Sequence, residues 1–350
     1  MRPHPIRFDN LRRHDLAEAR DRHFTALSSI FNGQDPDDVY VLSGEWAWPP
    51  VDPYREPERW VEEALLMLDG KAPAVRDPRV FRPSCLEFGP YGVHFIDRMF
   101  GAPVFFDEAS GQWYNHYLDT PIGSLSRPDL DRDPTWSLAR RVAEAFLSHQ
   151  VTVPLFGLPT IASALNIAVN LYGERILLAM IEEPEAAGRD LAVINETLCA
   201  LHRWYRERIP CQQLQPVVSI ERTQPPGFGQ LCGCTTQLLS PDLYESHVAP
   251  LDHALLSVYP NGGMIHLCGS HTQHIPTWQA MPSLRAVQLN DRAAQDLDAY
   301  FRGLRDDQII YLIPFDGMPV SRAMAITGGH RLVLQRVPEE PLPIRLDAPK

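Results

Sequence analysis

Long apolar runs are missing from this sequence of 350 residues: the longest, around Ile176 to Ile181, stops within two turns. A membrane-spanning helix needs roughly 20 apolar residues, so none is expected. The first thirty residues, Met1 to Ile30, are full of Arg, His and Asp and have no apolar core, which is not the pattern of a secretory signal. Basic runs are missing too, and 32 Lys+Arg against 44 Asp+Glu leave a net charge of −12. No field of the right sign draws a phosphate backbone, and nucleic acid is excluded as an expected partner. Cysteine is sparse, with six residues at 85, 199, 211, 232, 234 and 268. That spacing is not a disulfide framework, and we read the six as mostly reduced thiols of a cytoplasmic protein. Nucleotide motifs are absent: there is no Walker loop, and Gly227-Phe228-Gly229 meets Cys232 where a dinucleotide fingerprint needs its third glycine.

What is abundant is proline, 33 residues that fall mostly between periodic segments and mark loops. Leu11, Leu16, Ala19, Phe24 and Leu27 predict a helix from Asn10 to about Ser29. Short β-branched runs then recur at Val39 to Leu42, Val151 to Leu155, Val217 to Ile220, Met264 to Leu267, Ala286 to Leu289, Ile309 to Ile313 and Ala323 to Thr327. Helical patterns such as Pro241 to Leu256 and Ala293 to Leu304 follow most of them. This alternation predicts an α/β fold, a (β/α)8 TIM barrel with an N-terminal helical extension. We expect a single domain over 1–350, with its core at about 35–336 and an extended tail at 337–350. Phe105 to Leu118, with Gly111 in a polar turn, reads as a hairpin decorating the barrel.

Chemistry concentrates in Ile265-His266-Leu267-Cys268-Gly269-Ser270-His271. A strand that ends in His-x-Cys points both side chains to one face, where one zinc ion can take both, and a barrel can bring a third ligand from a distant strand. The plainer reading is strand-end packing, with Cys268 as a small hydrophobe. Cys232-Gly233-Cys234 is a second cluster whose duty stays open between metal ligation, a redox pair and an ordinary loop. His271 and His274 fall at the mouth of the expected pocket or at a helix N-terminus, or are a plain surface pair. Thr327-Gly328-Gly329-His330 reads as the end of the last strand, where two glycines let a ligand approach the backbone. Trp46 and Trp48 either wall an apolar pocket or belong to the core.

Together these segments resemble the uroporphyrinogen decarboxylase superfamily, and within it the cobalamin-dependent methyltransferases. The resemblance runs from about Phe88 to His330, through Phe88-Gly89-Pro90-Tyr91-Gly92, Met99-Phe100-Gly101-Ala102, Asn166 to Pro184, Leu239-Ser240-Pro241, Ile265 to Gly269 and Leu284-Arg285-Ala286-Val287. It implies the barrel, and a zinc ion on His266 and Cys268. The family's third ligand, a Cys at the end of the last strand, is missing, so His330 is expected in its place. Cys234 and His330 are the implied catalytic residues, with Trp46, Trp48 and His271 around the substrate. A methylcorrinoid, free or on a partner protein, would give or receive the methyl group, and a thiol, a methoxyl compound or cobalt would stand on the other side. The decarboxylase branch supplies an alternative, a metal-free decarboxylase of a small acid or tetrapyrrole using His330, although its N-terminal Met-Arg-Gln-Ala-Gly-Arg motif is missing here. A barrel that binds a corrinoid or tetrapyrrole without turnover is the third reading.

Overall fold

The apolar β-branched runs pair side by side in a computed structural model that describes residues 8–34, 40–215 and 220–335. In chain order its strands are β1 (Tyr40–Leu42), β2 (Val80–Phe81), β3 (Cys85–Glu87), β4 (Val104–Asp107), β5 (Gln112–Asn115) and β6 (Leu155–Gly157). They continue with β7 (Leu214–Gln215), β8 (Gly229–Cys232), β9 (Gly263–Leu267), β10 (Leu284–Leu289), β11 (Ile309–Leu312) and β12 (Leu332–Gln335). One parallel sheet has the order β2-β1-β12-β11-β10-β9-β8 and a second the order β3-β6-β7. The two are consecutive, because β3 follows β2 after three residues and a parallel bridge from Glu45 to Ser84 continues the pairing between them. All residues of β9, β11 and β12 are buried, as befits parallel strands covered on both faces.

The α/β expectation holds, while the closed eightfold barrel is not shown. Among the described residues no ladder joins β7 to β8, and a short 3₁₀ turn, Ile220–Arg222, rather than a helix, lies between them. The run at Val217 to Ile220 and the tail at 337–350 fall outside the described residues, apart from the backbone of Ile220. The hairpin is present as β4 and β5, with Asp107 accepting from the Ala109 and Ser110 amides in its turn.

Three boundaries differ from the sequence reading. The first helix is His14–Phe31, because Asn10 is held outside it, its amide donating to Asp69 Oδ1 at 2.9 Å. Of the run at Val151 to Leu155 only Leu155 enters a strand. Ala323 to Thr327 is not the last strand but part of a helix, Val320–Thr327, which ends at Gly328 with φ +62°. Ala and Met are strong helix formers, and a left-handed glycine is the usual stop. The expected helix Pro241 to Leu256 is present with a π turn, Tyr244–Val248, ahead of Pro250, which has no amide to donate. No single helix among the described residues is long and apolar enough to cross a membrane.

Candidate metal centre

In a parallel strand successive side chains alternate faces, so Gln230 and Cys232 share one face of β8, and His266 and Cys268 share one face at the end of β9. The register sets Cys232 opposite His266. Cys234 returns to the same place after one residue because position 233 is glycine; a Cβ there would lie 2.7 Å from Ile265 Cγ2. Cys232, Cys234 and His266 offer ligand atoms within 4.8 Å of one another and could hold a metal ion. Cys268 adds a fourth donor, its Sγ 3.1 Å from Cys234 Sγ and 3.1 Å from His266 Nε2, and Cys232 Sγ lies 3.4 Å from Cys234 Sγ. None of these cysteines is in a disulfide.

The central thiol and its neighbours divide their protons unequally. Cys234 holds its proton far above the usual range because it shares it with both flanking sulfurs. Its hydrogen bonds draw Cys232 down to about 6 and Cys268 down to about 4, against the desolvation that opposes them. The half-buried Arg222 faces all three thiols and also Glu87 at the end of β3. Asn166, near the start of the helix Ala164–Tyr172, donates to Cys232 Sγ at 3.3 Å and accepts from the Thr235 amide at 3.2 Å, which ties the cysteine loop to that helix.

His266 is oriented from behind. Its Nδ1 bonds Gln288 Oε1, Gln288 Nε2 donates to Gln335 Oε1 at 3.0 Å, and Gln335 Nε2 donates to the Glu221 carbonyl. A carbonyl can only accept, so it fixes Gln335, which fixes Gln288 with its oxygen toward the imidazole. Nδ1 therefore carries the proton and Nε2 keeps its lone pair for the thiol cluster. A donor set of thiolates and one imidazole held by a second hydrogen bond is the usual chemistry of zinc, and a tetrahedron with ~2.3 Å bonds separates sulfurs by roughly 3.8 Å. The cluster needs to open by a few tenths of an ångström, and the donor set fits. Gln288→Leu is expected to weaken zinc or cobalt(II) binding about 10- to 100-fold in a competition titration; an unchanged affinity would show that Gln288 does not hold His266.

The other predicted residues fall elsewhere. His330 follows the helix at Thr327 and precedes β12, so in an all-parallel sheet it lies at the opposite end from Cys232 and Cys268, and it is exposed. It cannot be the third ligand without dismantling β12. His271 is fully buried: its ring nitrogens lie 2.6 Å from the Gly269 carbonyl and 3.2 Å from the Gly233 carbonyl, bracing the loop between the two cysteines. Trp48 is 73% exposed and lines a pocket with Glu87, and Trp46 donates from Nε1 to Glu87 Oε2 at 3.0 Å. Asn166, Arg222, Gln288 and Glu87 were not singled out from sequence, because amides and lone charges carry no spacing signal there.

A parallel α/β sheet whose strand ends converge on thiol and imidazole donors defines a class of fold rather than one protein. The chain is similar in structure to a methyltransferase from Methanosarcina mazei, with a TM-score of 0.61 over 91% of this chain and 95% of that one, at 11% sequence identity. At that identity the likeness is one of fold. No protein-family model matches the chain, and no curated protein matches its sequence.

Proposed function

We propose that this chain is a zinc-dependent methyltransferase of the corrinoid type, built as a uroporphyrinogen decarboxylase-like barrel, that moves a methyl group between a methylcorrinoid and a thiol. The observation that carries the reading is the cluster of Cys232, Cys234, His266 and Cys268 at the C-terminal strand ends, where such folds place their chemistry. A zinc ion bound there supplies Lewis acidity, which keeps a thiol of ordinary pKa near 8.5 deprotonated at neutral pH.

The chain's own groups do the rest. Cys234 is the central sulfur, since it touches both outer ones, and His266 is the one imidazole of the cluster. A catalytic ion keeps one position open, so one outer thiol, Cys232 or Cys268, gives way to the substrate. Arg222 balances the negative charge that three thiolates leave around a divalent ion. The corrinoid enters as a substrate or on a partner protein. The metal-free decarboxylase reading relied on His330 as its proton carrier, and that residue lies at the other end of the sheet.

Protein purified without oxygen or chelator should contain about one zinc per chain and demethylate methylcobalamin with an added thiol, as followed by the cobalt absorbance. Chelation should abolish the reaction and zinc restore it, and His330→Ala should change neither. A zinc content near zero that added zinc does not raise would overturn the reading. A corrinoid bound tightly but left methylated would make the chain a carrier instead.

A further inference from the structure

Three of the four donors are thiols in a row, and two of them stand where a disulfide can close. The register that sets Cys232 opposite His266 continues past the strand end, since the Gly233 amide donates to the His266 carbonyl at 2.9 Å. Cys234 and Cys268 each follow two residues on, so they are the next pair to face one another, with their sulfurs 3.1 Å apart. Neighbouring strands run roughly 4.8 Å apart, inside the ~4.4–6.8 Å between Cα atoms that a disulfide spans. We infer that Cys234 and Cys268 are a peroxide-sensitive pair whose reversible disulfide empties the metal centre. The loss of metal rests on the zinc reading above; the disulfide itself does not.

The spacing of the pair is built into the backbone. His271 holds both cysteine loops at once, one ring nitrogen 2.6 Å from the Gly269 carbonyl and the other 3.2 Å from that of Gly233 and 3.3 Å from that of Cys234. Closing the contact from 3.1 Å to a bond of about 2.05 Å moves the sulfurs by roughly 1 Å, within reach of side-chain rotation. Cys232, Cys234 and Cys268 are half-buried, which leaves access for a molecule as small as hydrogen peroxide, whereas Cys85 and Cys199 are buried.

The same contacts decide what oxidation does to the ion. Cys234 is the central sulfur, and a bond to Cys268 removes both from ligation. Cys232 and His266 are left, two donors where a protein zinc site takes at least three. The oxidant is a peroxide. Cys268 attacks one peroxide oxygen as its thiolate, the O–O bond breaks, and the other oxygen leaves and is protonated to water, which makes a sulfenic acid. Cys234 then attacks that sulfur, the S–S bond forms, the S–O bond breaks, and a second water leaves with the Cys234 proton. Two electrons pass from the two thiols to the peroxide and none to or from the metal.

The test uses full-length protein carrying Cys211→Ala, which removes the exposed thiol, loaded with zinc and titrated with hydrogen peroxide. A colorimetric chelator reads zinc release, and mass spectrometry without reduction maps the bonds. Cleavage at Glu245 puts Cys232 and Cys234 on one fragment and Cys268 on another, so the expected bond joins the two. One Cys234–Cys268 disulfide should form per zinc released, the metal content should fall from about one per chain to under about a tenth, and dithiothreitol should restore it. Zinc-free protein with Cys232→Ala added should form the same bond. A main product joining Cys232 to Cys234, oxidation of Cys268 to sulfinic acid with no disulfide, or full retention of zinc beside the Cys234–Cys268 bond would overturn the inference. The bond in protein that never takes up zinc would sink the zinc reading and leave the disulfide standing; zinc held by protein whose thiols stay unpaired under peroxide would do the reverse.

Discussion

Alanine at Cys234 or at His266 is expected to lower the metal content from about one ion per chain to under about a tenth, and to slow methyl transfer by at least ~10³-fold. Cys234 lies 3.4 Å from Cys232 and 3.1 Å from Cys268, and His266 is the one imidazole of the cluster, so either loss leaves three donors without their central sulfur or without their only nitrogen. The outer thiols behave differently. Cys232→Ala or Cys268→Ala alone leaves Cys234, His266 and one outer thiol together, and each should keep the ion with weakened affinity. Elemental mass spectrometry gives the content, cobalt(II) absorbance reports thiolate ligation, and circular dichroism checks that the variants fold. If Cys234→Ala and His266→Ala both held a full equivalent of metal, the cluster would not be its site. If either outer variant lost the metal outright, all four donors would be required and the centre would be closed to substrate.

Asp252 carries the second large effect, on stability rather than activity. It is fully buried, and its Oδ2 accepts from the Tyr244 hydroxyl at 2.9 Å, which in turn accepts from Trp278 Nε1 at 2.8 Å. Burial pushes its carboxyl up to about 7, against an ordinary value near 3.8. Between these values the folded chain binds a proton that the unfolded chain releases, so Asp252 favours folding below about pH 4 and that contribution is lost as pH rises through 7. At 1.36 kcal/mol per unit the loss is on the order of 4 kcal/mol by pH 8. Asp252→Asn keeps an acceptor for Tyr244 and has no charge to bury. Urea unfolding of the two proteins should therefore diverge with pH, the Asn variant being about 2–4 kcal/mol more stable at pH 8 than its difference at pH 4. Parallel stability curves from pH 4 to 8 would contradict the buried ionisation.

Period-two alternation made His266 and Cys268 readable, because a strand fixes which residues share a face, and β9, β10 and β11 stand within two residues of their predicted limits. The same logic misplaced His330. The run Ala323 to Thr327 reads as a strand by its β-branched end, although two alanines and a methionine favour helix, and the last strand starts beyond three left-handed residues, Gly328, Gly329 and Arg331. One element's slip moved a histidine from one end of the sheet to the other. The cysteine pair at 232 and 234 was visible, but its place beside His266 depends on the register of β8 against β9, a long-range pairing that no local pattern encodes. Glu87 was hidden for a different reason: β3 has three residues and stands just after Pro83, too short for any periodicity to register.

All four donors fall in the one stretch from Cys232 to Cys268, whereas the pocket that Trp48 lines, walled by aromatic side chains, is drawn from Trp48 to Pro90. The donor set and this aromatic wall are thus encoded by separate parts of the gene. Substitutions in the early segment can reshape that wall while the later segment is held fixed, and an exchange of the early segment alone should leave the donor set in place.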